Sequence, residues 1–275
     1  MHAKSNASKH KYIIRDLGYF LKSLGISDTV IALEDNLRLS KEQSLKIEMF
    51  FSSYLDGLPI DYILNESVFY GNKFYIDSRV LIPRPETELI VDWALDLQPR
   101  KNSLIAELGT GSGCISISLA LENPNLKIIA TDISNDALDV ANLNVNSHDV
   151  RNILLVKSHW ISCIKSESLD LIISNPPYLK PNDQHLKDLK HEPLIALITK
   201  NGLESFHEIA VQAISRLKSG GKIIFEHGCS QAYEVSKILM ENGFKNISSE
   251  QDLQGLDRYT CLLYTSDAAD DRNCG

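Results

Sequence analysis

Leu104-Ile-Ala-Glu107-Leu-Gly109-Thr110-Gly111-Ser112-Gly113-Cys-Ile-Ser-Ile-Ser-Leu-Ala-Leu121 is the stretch that decides the fold. Its first five residues, apolar but for Glu107, are of strand length, and Ser112–Leu121 has the apolar spacing of a helix that starts as the glycines end. Glycines between a strand and a helix let a ligand come close to the backbone, and the helix start offers unpaired N–H groups. The spacing is GxGxG. It is neither the dinucleotide fingerprint GxGxxG nor, lacking a following Lys, a phosphate loop. Taken alone the loop is a weak signal, because a tight structural turn is the other explanation of it.

Outward from this stretch the pattern repeats. Further strands are expected at Lys127–Thr131, Ile153–Lys157, Leu171–Ser174, Lys222–Glu226, Asn246–Ser249 and Tyr259–Leu263. Helices are expected at Ser134–Val145, at Leu203–Leu217 with Gly220-Gly221 as its stop, and at Ser230–Asn242 before Gly243. Short apolar strands alternating with amphipathic helices predict an α/β domain over 83–263, a seven-stranded parallel sheet covered on both faces. Before it, Ile13, Leu17, Phe20, Leu21 and Leu24 lie at helical spacing, and Ser40 with Gln43 forms a capping box ahead of a second helix. Residues 1–65 therefore read as a small helical domain. Between the two, 66–82 read as a β-hairpin linker: Val68–Tyr70 and Lys73–Ile76 flank Gly71-Asn72, a two-residue turn signal. Residues 264–275 lose apolar periodicity and read as a disordered or foreign tail.

Three features after the glycine loop carry chemistry. Asp132 stands at the end of the second strand, about 20 residues past the glycines, where a carboxylate can accept both ribose hydroxyls of a nucleoside. Ser134 is the better helix cap there, which frees Asp132 for a ligand. The fourth strand runs into Asn175-Pro176-Pro177-Tyr178. Two consecutive prolines fix extended backbone and leave outward carbonyls as acceptors. With the Asn175 side-chain oxygen these can hold both hydrogens of an NH2 group, and Tyr178 adds a flat face for a planar amide or base. Such a site suits a nitrogen whose lone pair is tied up in conjugation. Trp160, after the third strand, can cover an adenine ring or fill the core. Arg84, Glu86 and Glu88 flank Pro85 at a helix start, where acids favour the dipole and need no functional explanation.

Composition narrows the classes. A net charge of −8 and a pI near 5.5 argue against gripping long phosphate backbones. Five scattered cysteines without CxxC spacing suggest free thiols in a reducing compartment, with neither a disulfide framework nor a metal site. No apolar run reaches the roughly 20 residues of a membrane span, and the start lacks a secretory apolar region.

Taken together, Leu81-Ile-Pro-Arg-Pro-Glu-Thr-Glu88, Glu107–Gly113, Asp132, Asn175–Tyr178, His191-Glu-Pro193 and Asp252-Leu-Gln-Gly255 with Arg258 make the chain resemble the HemK-type protein-(glutamine-N5) methyltransferases. The resemblance implies a Rossmann-like methyltransferase domain that uses S-adenosyl-L-methionine. It implies cofactor-binding roles for Gly109, Thr110, Gly111, Ser112, Gly113, Asp132, Trp160 and Asn175, and a substrate clamp formed by Asn175, Pro176, Pro177 and Tyr178. The implied substrate is the glutamine of the Gly-Gly-Gln motif of peptide chain release factors, methylated by a cytoplasmic monomer with no membrane or direct nucleic-acid partner. Glu107 stands where the family usually has Asp, and His159 where an acid is common. An adenine-N6 DNA methyltransferase needs a similar clamp but a more basic surface. A ribosomal-protein glutamine methyltransferase would carry a different sequence at 84–88. A non-enzymatic relic of the fold would not need an intact clamp.

Overall fold

The computed structural model describes residues 12–27, 29–30, 38–251, 255 and 257–265. The chain divides into two compact units, Met1–Glu66 and Ser67–Gly275.

In the first unit, helices α1 (Ile13–Ser23), α2 (Lys41–Leu55) and α3 (Ile60–Leu64) are described. The capping box forms as its sequence suggests: the Gln43 N–H donates to Ser40 Oγ at 3.1 Å, and the Ser40 N–H to Gln43 Oε1 at 3.0 Å. Phe20 of α1 stacks on Phe50 of α2 at 4.6 Å. The buried Asp16 is satisfied by the Tyr54 hydroxyl at 2.9 Å.

The second unit opens with a hairpin, β1 (Ser67–Phe69) and β2 (Asn72–Phe74). Phe69 pairs with Asn72, so the turn is Tyr70-Gly71, one residue earlier than the Gly71-Asn72 signal suggested. Both turn residues have positive φ, +48° and +72°, as this tight turn requires. Tyr70 is held there although it is not glycine. Its N–H donates to Glu88 Oε1 at 2.8 Å and its hydroxyl to Asp92 Oδ1 at 2.7 Å, both on α4 (Glu88–Asp96).

The main sheet comprises β3 (Leu104–Leu108), β4 (Lys127–Asp132), β5 (Ile153–Lys157), β6 (Leu169–Ser174), β7 (Leu217–Glu226), β8 (Phe244–Gln251) and β9 (Asp257–Thr265), in the order β5-β4-β3-β6-β7-β9-β8. Five strands are parallel. The seven-stranded Rossmann-like sheet is as expected, mostly parallel, with β9 inserted antiparallel between β7 and β8. Helices α5 (Cys114–Glu122), α6 (Asn135–Ser147), α7 (Glu204–Arg216) and α8 (Ala232–Glu241) supply the connections. The central strands β3 and β6 are buried almost throughout and β7 over its last four residues, as the covered faces of an α/β sheet require.

Two other expectations are corrected. Gly220-Gly221 lies inside β7 and does not stop α7. The helix ends at Arg216, because Leu217 already begins β7: its extended backbone pairs with Leu169 and its side chain is buried. Leu263 does not end the last strand either: Tyr264 and Thr265 pair with Lys245 and Phe244. Asp252–Gln254, the side chain of Arg258 and the tail from Ser266 lie outside the described residues. Among the described residues no helix is long and apolar enough to cross a membrane.

The strand order reverses between β3 and β6, which opens a crevice outside their carboxyl ends. The glycine loop, Asp132, Asn175 and Glu226 all follow or end strands at that edge.

Candidate active site

After β3 the chain takes positive φ at Gly109, Gly111 and Gly113 (+71°, +55° and +82°). The N–H groups of Gly109 and Thr110 both donate to Thr131 O at 2.9 Å, fixing the loop to the end of β4. The five loop residues divide by role. Gly109 and Gly111 lie on a cavity wall, and a Cβ on Gly111 would have nothing within 4 Å. Thr110, Ser112 and Gly113 stand behind the wall. The buried Thr110 donates to Glu107 Oε2 at 2.7 Å, and Ser112 O accepts from the buried Asn144 Nδ2 at 2.8 Å. A Cβ on Gly113 would meet Ile117 Cδ1 at 3.2 Å and Ala141 Cβ at 3.4 Å, so its glycine serves helix packing. Glu107 is buried beneath the loop and also bonds the Ser116 N–H and hydroxyl. Burial outweighs these donors and pushes its carboxyl up to about 7.

Asp132 accepts from the Gly111 N–H at 3.0 Å and the Ser134 N–H at 2.9 Å while facing the cavity. A carboxylate offers about four acceptor directions, so capacity remains for hydroxyls. Desolvation pushes its carboxyl above the ordinary value. Ser134 caps α6 by accepting from Ala137 N. Trp160 is half-buried with φ +52°, and its Nε1–H donates to Glu208 Oε2 at 2.8 Å. It packs against the core and also lines the cavity. His159 is exposed and lies 3.4 Å from the same carboxylate.

The cavity walled by these residues measures about 250 Å³. A second, of about 530 Å³, is lined by Arg84, Tyr178, Glu226 and Gln231 among others. The two have Leu81, Asn175 and Ala196 in common. Asn175 thus stands on both walls, Pro177 on the first and Tyr178 on the second, with Pro176 buried between. Among the described residues no donor reaches the Pro176 or Pro177 carbonyl.

Four supporting residues had no role assigned to them from the sequence. Glu192, buried, accepts from the Ile82 N–H at 3.0 Å and from Arg84 Nη2 at 2.5 Å. Arg84 is therefore tied to the site, and the helix-start account of it is incomplete. Gln231 Nε2 donates to Tyr178 O at 3.3 Å and Gly202 O at 2.9 Å, bracing the end of the clamp. Thr87 and Glu226, both buried, bond each other at 2.7 Å beside Asn175. Glu226, an acidic residue ending an apolar strand, was the signal available for the last of these. Among the described residues no cluster of His, Cys, Asp and Glu could hold a metal, and Cys114, Cys163 and Cys229 are free thiols.

A switch-point crevice lined by two glycines of the loop, a carboxylate and an indole has the chemistry to take a nucleoside. Fold and site define a Rossmann-like, S-adenosylmethionine-dependent methyltransferase. Residues 86–200 match the family described as "Methyltransferase small domain". The release factor glutamine methyltransferase of Coxiella burnetii is 37% identical over 81% of this chain and 81% of its own length. A bifunctional methyltransferase of Rickettsia bellii is 40% identical over 77% of this chain, which spans only 44% of that longer protein. The crystal structure of a methyltransferase from Pyrococcus furiosus shares the fold at a TM-score of 0.55 and 17% identity, over 82% of this chain and all of that one (100%). The chain belongs to the release factor glutamine methyltransferase family.

Proposed function

We propose that this enzyme methylates the side-chain amide nitrogen of the glutamine in the Gly-Gly-Gln motif of peptide chain release factors. The observation that carries the reading is the position of Asn175 on the wall common to two cavities, followed by two prolines whose carbonyls accept no bond among the described residues. In this reading the smaller cavity takes the cofactor, against Gly109, Gly111, Asp132 and Trp160. The larger takes the glutamine, against Tyr178. S-adenosylmethionine supplies an electrophilic methyl group. The protein supplies orientation.

Orientation is what an amide needs. Its rotation barrier of about 18–20 kcal/mol shows how firmly conjugation holds the nitrogen lone pair, and a hydrogen bond is worth about 1 kcal/mol net. Hydrogen bonds to Asn175 Oδ1 and a proline carbonyl cannot make that nitrogen basic. They can fix its plane and aim it at the methyl group, and positioning of this kind is worth about 7–11 kcal/mol. A glutamine flanked by glycines enters a narrow site without side-chain clashes. The helical unit holds the body of the release factor, the enzyme works as a monomer in the cytoplasm, and nucleic acid takes no direct part.

The test is mass spectrometry of a purified release factor incubated with the enzyme and S-adenosylmethionine. One methyl group on the Gly-Gly-Gln glutamine is expected, and none on a factor with that glutamine replaced. Asn175→Ala should cut turnover about a hundredfold while leaving much of the cofactor affinity. Methyl label on DNA, or on a factor lacking the glutamine, would overturn the reading.

A further inference from the structure

We propose that Thr87 and Glu226 are positioning residues that fix which way round the Asn175 amide sits, and so present its oxygen to the substrate; this rests on the proposed function. The argument begins with a helix cap that does not cap. Thr87 occupies the N-cap position of α4, where a threonine ordinarily accepts from its own helix, yet its side chain makes no capping bond. Its hydroxyl is buried and donates to Glu226 Oε2 at 2.7 Å. A carboxylate next to a hydroxyl takes its single proton, and that decides the rest. Thr87 Oγ1 is left with lone pairs only, so whatever faces it from Asn175 must donate. The Asn175 NH2 does so, from 3.4 Å, long for such a bond. With the NH2 turned to Thr87, Oδ1 is turned away from it and is free to accept an N–H of the glutamine.

The pair is itself held from two elements. Glu226 ends β7, and its registered neighbour on β9, the buried Tyr259, donates its hydroxyl to Glu86 O, next to Thr87. The α4 start and the β7 end are therefore bound together at the point where the proton is handed over. Reversing the amide would set an NH2 against the substrate NH2, which neither group could satisfy.

Three variants test this. Thr87→Val removes the hydroxyl at nearly constant shape. Glu226→Gln offers Thr87 an N–H, lets the threonine proton turn toward Asn175 and so favours the reversed amide. Thr87→Ser keeps the hydroxyl. The expected result is a kcat about tenfold or more below wild type for the first two, S-adenosylmethionine affinity within about twofold by calorimetry, and a return toward wild-type kcat in the serine variant. Independently of turnover, the Asn175 side-chain NH2 signal in ¹⁵N–¹H spectra, assigned by its loss in Asn175→Asp, should move in Glu226→Gln and stay in Thr87→Ser. An unmoved NH2 signal, a kcat within about threefold of wild type in either of the first two variants, or a serine variant no faster than the valine one overturns the proposal. If the signal moves as expected but the wild-type enzyme leaves the glutamine unlabelled, the proposed function fails and the orienting role stands.

Discussion

Asp132 is bound to its own chain through the N–H groups of Gly111 and Ser134, which keep its carboxylate pointed at the cavity. Those backbone bonds leave acceptor capacity, and hydrogen bonds to a charged acceptor are worth about 1.5–3 kcal/mol. Asp132→Ala should therefore weaken S-adenosylmethionine binding by about 10- to 100-fold in titration calorimetry. Unchanged affinity would remove Asp132 from the cofactor site. Glu107 makes a different prediction, on stability. Burial lifts its carboxyl from the ordinary 4.5 to about 7, so between those values the folded protein keeps a proton that the unfolded chain has released. Stability should fall as pH rises through that window, by at most roughly 3 kcal/mol, and level off above it. Urea unfolding from pH 5 to 8 checks this: Glu107→Gln should flatten the slope.

At the scale of elements, the last strand offers the sharpest test. β9 is the bridge that joins β8 to the rest of the sheet, and its final pairs are Tyr264 with Lys245 and Thr265 with Phe244. A chain ended at Leu263 should melt several degrees below one ended at Thr265, because backbone groups on β8 lose their partners. Equal melting temperatures would show that the two pairs contribute nothing. The same strand shows where the sequence could be read and where it could not. β3, the glycine loop and α5 are contiguous, so local periodicity and punctuation were enough to find them. Asn175–Tyr178 was legible because proline constrains its own backbone. That β9 enters antiparallel depends on which remote strand it meets, and nothing local in residues 257–265 records it. Gly220-Gly221 misled for a similar reason: the pairing of Leu217 with the distant Leu169 ends α7 before the glycines are reached. Thr87 was hidden because threonine at a helix start already has an ordinary explanation. Its actual partner is 139 positions away in sequence.

At the scale of the molecule, the residues lining both cavities belong to the unit that begins at Ser67. That unit expressed by itself should bind S-adenosylmethionine within a few-fold of the full chain. If the helical unit recognises the release factor, as proposed, the same fragment should show a much higher KM for the release factor. A fragment that methylates the factor at full efficiency would end that assignment. The two cavities also touch through few residues, Leu81, Asn175 and Ala196. If the two cavities take the cofactor and the glutamine as proposed, both must be filled for the methyl group to pass, which points to kinetics through a ternary complex. They also invite a tethered inhibitor: a nucleoside joined by a short spacer to a primary amide would engage both chambers at once. Each half would then meet its own site at an effective concentration of about millimolar, enough to tighten binding roughly 100- to 10,000-fold over either half alone.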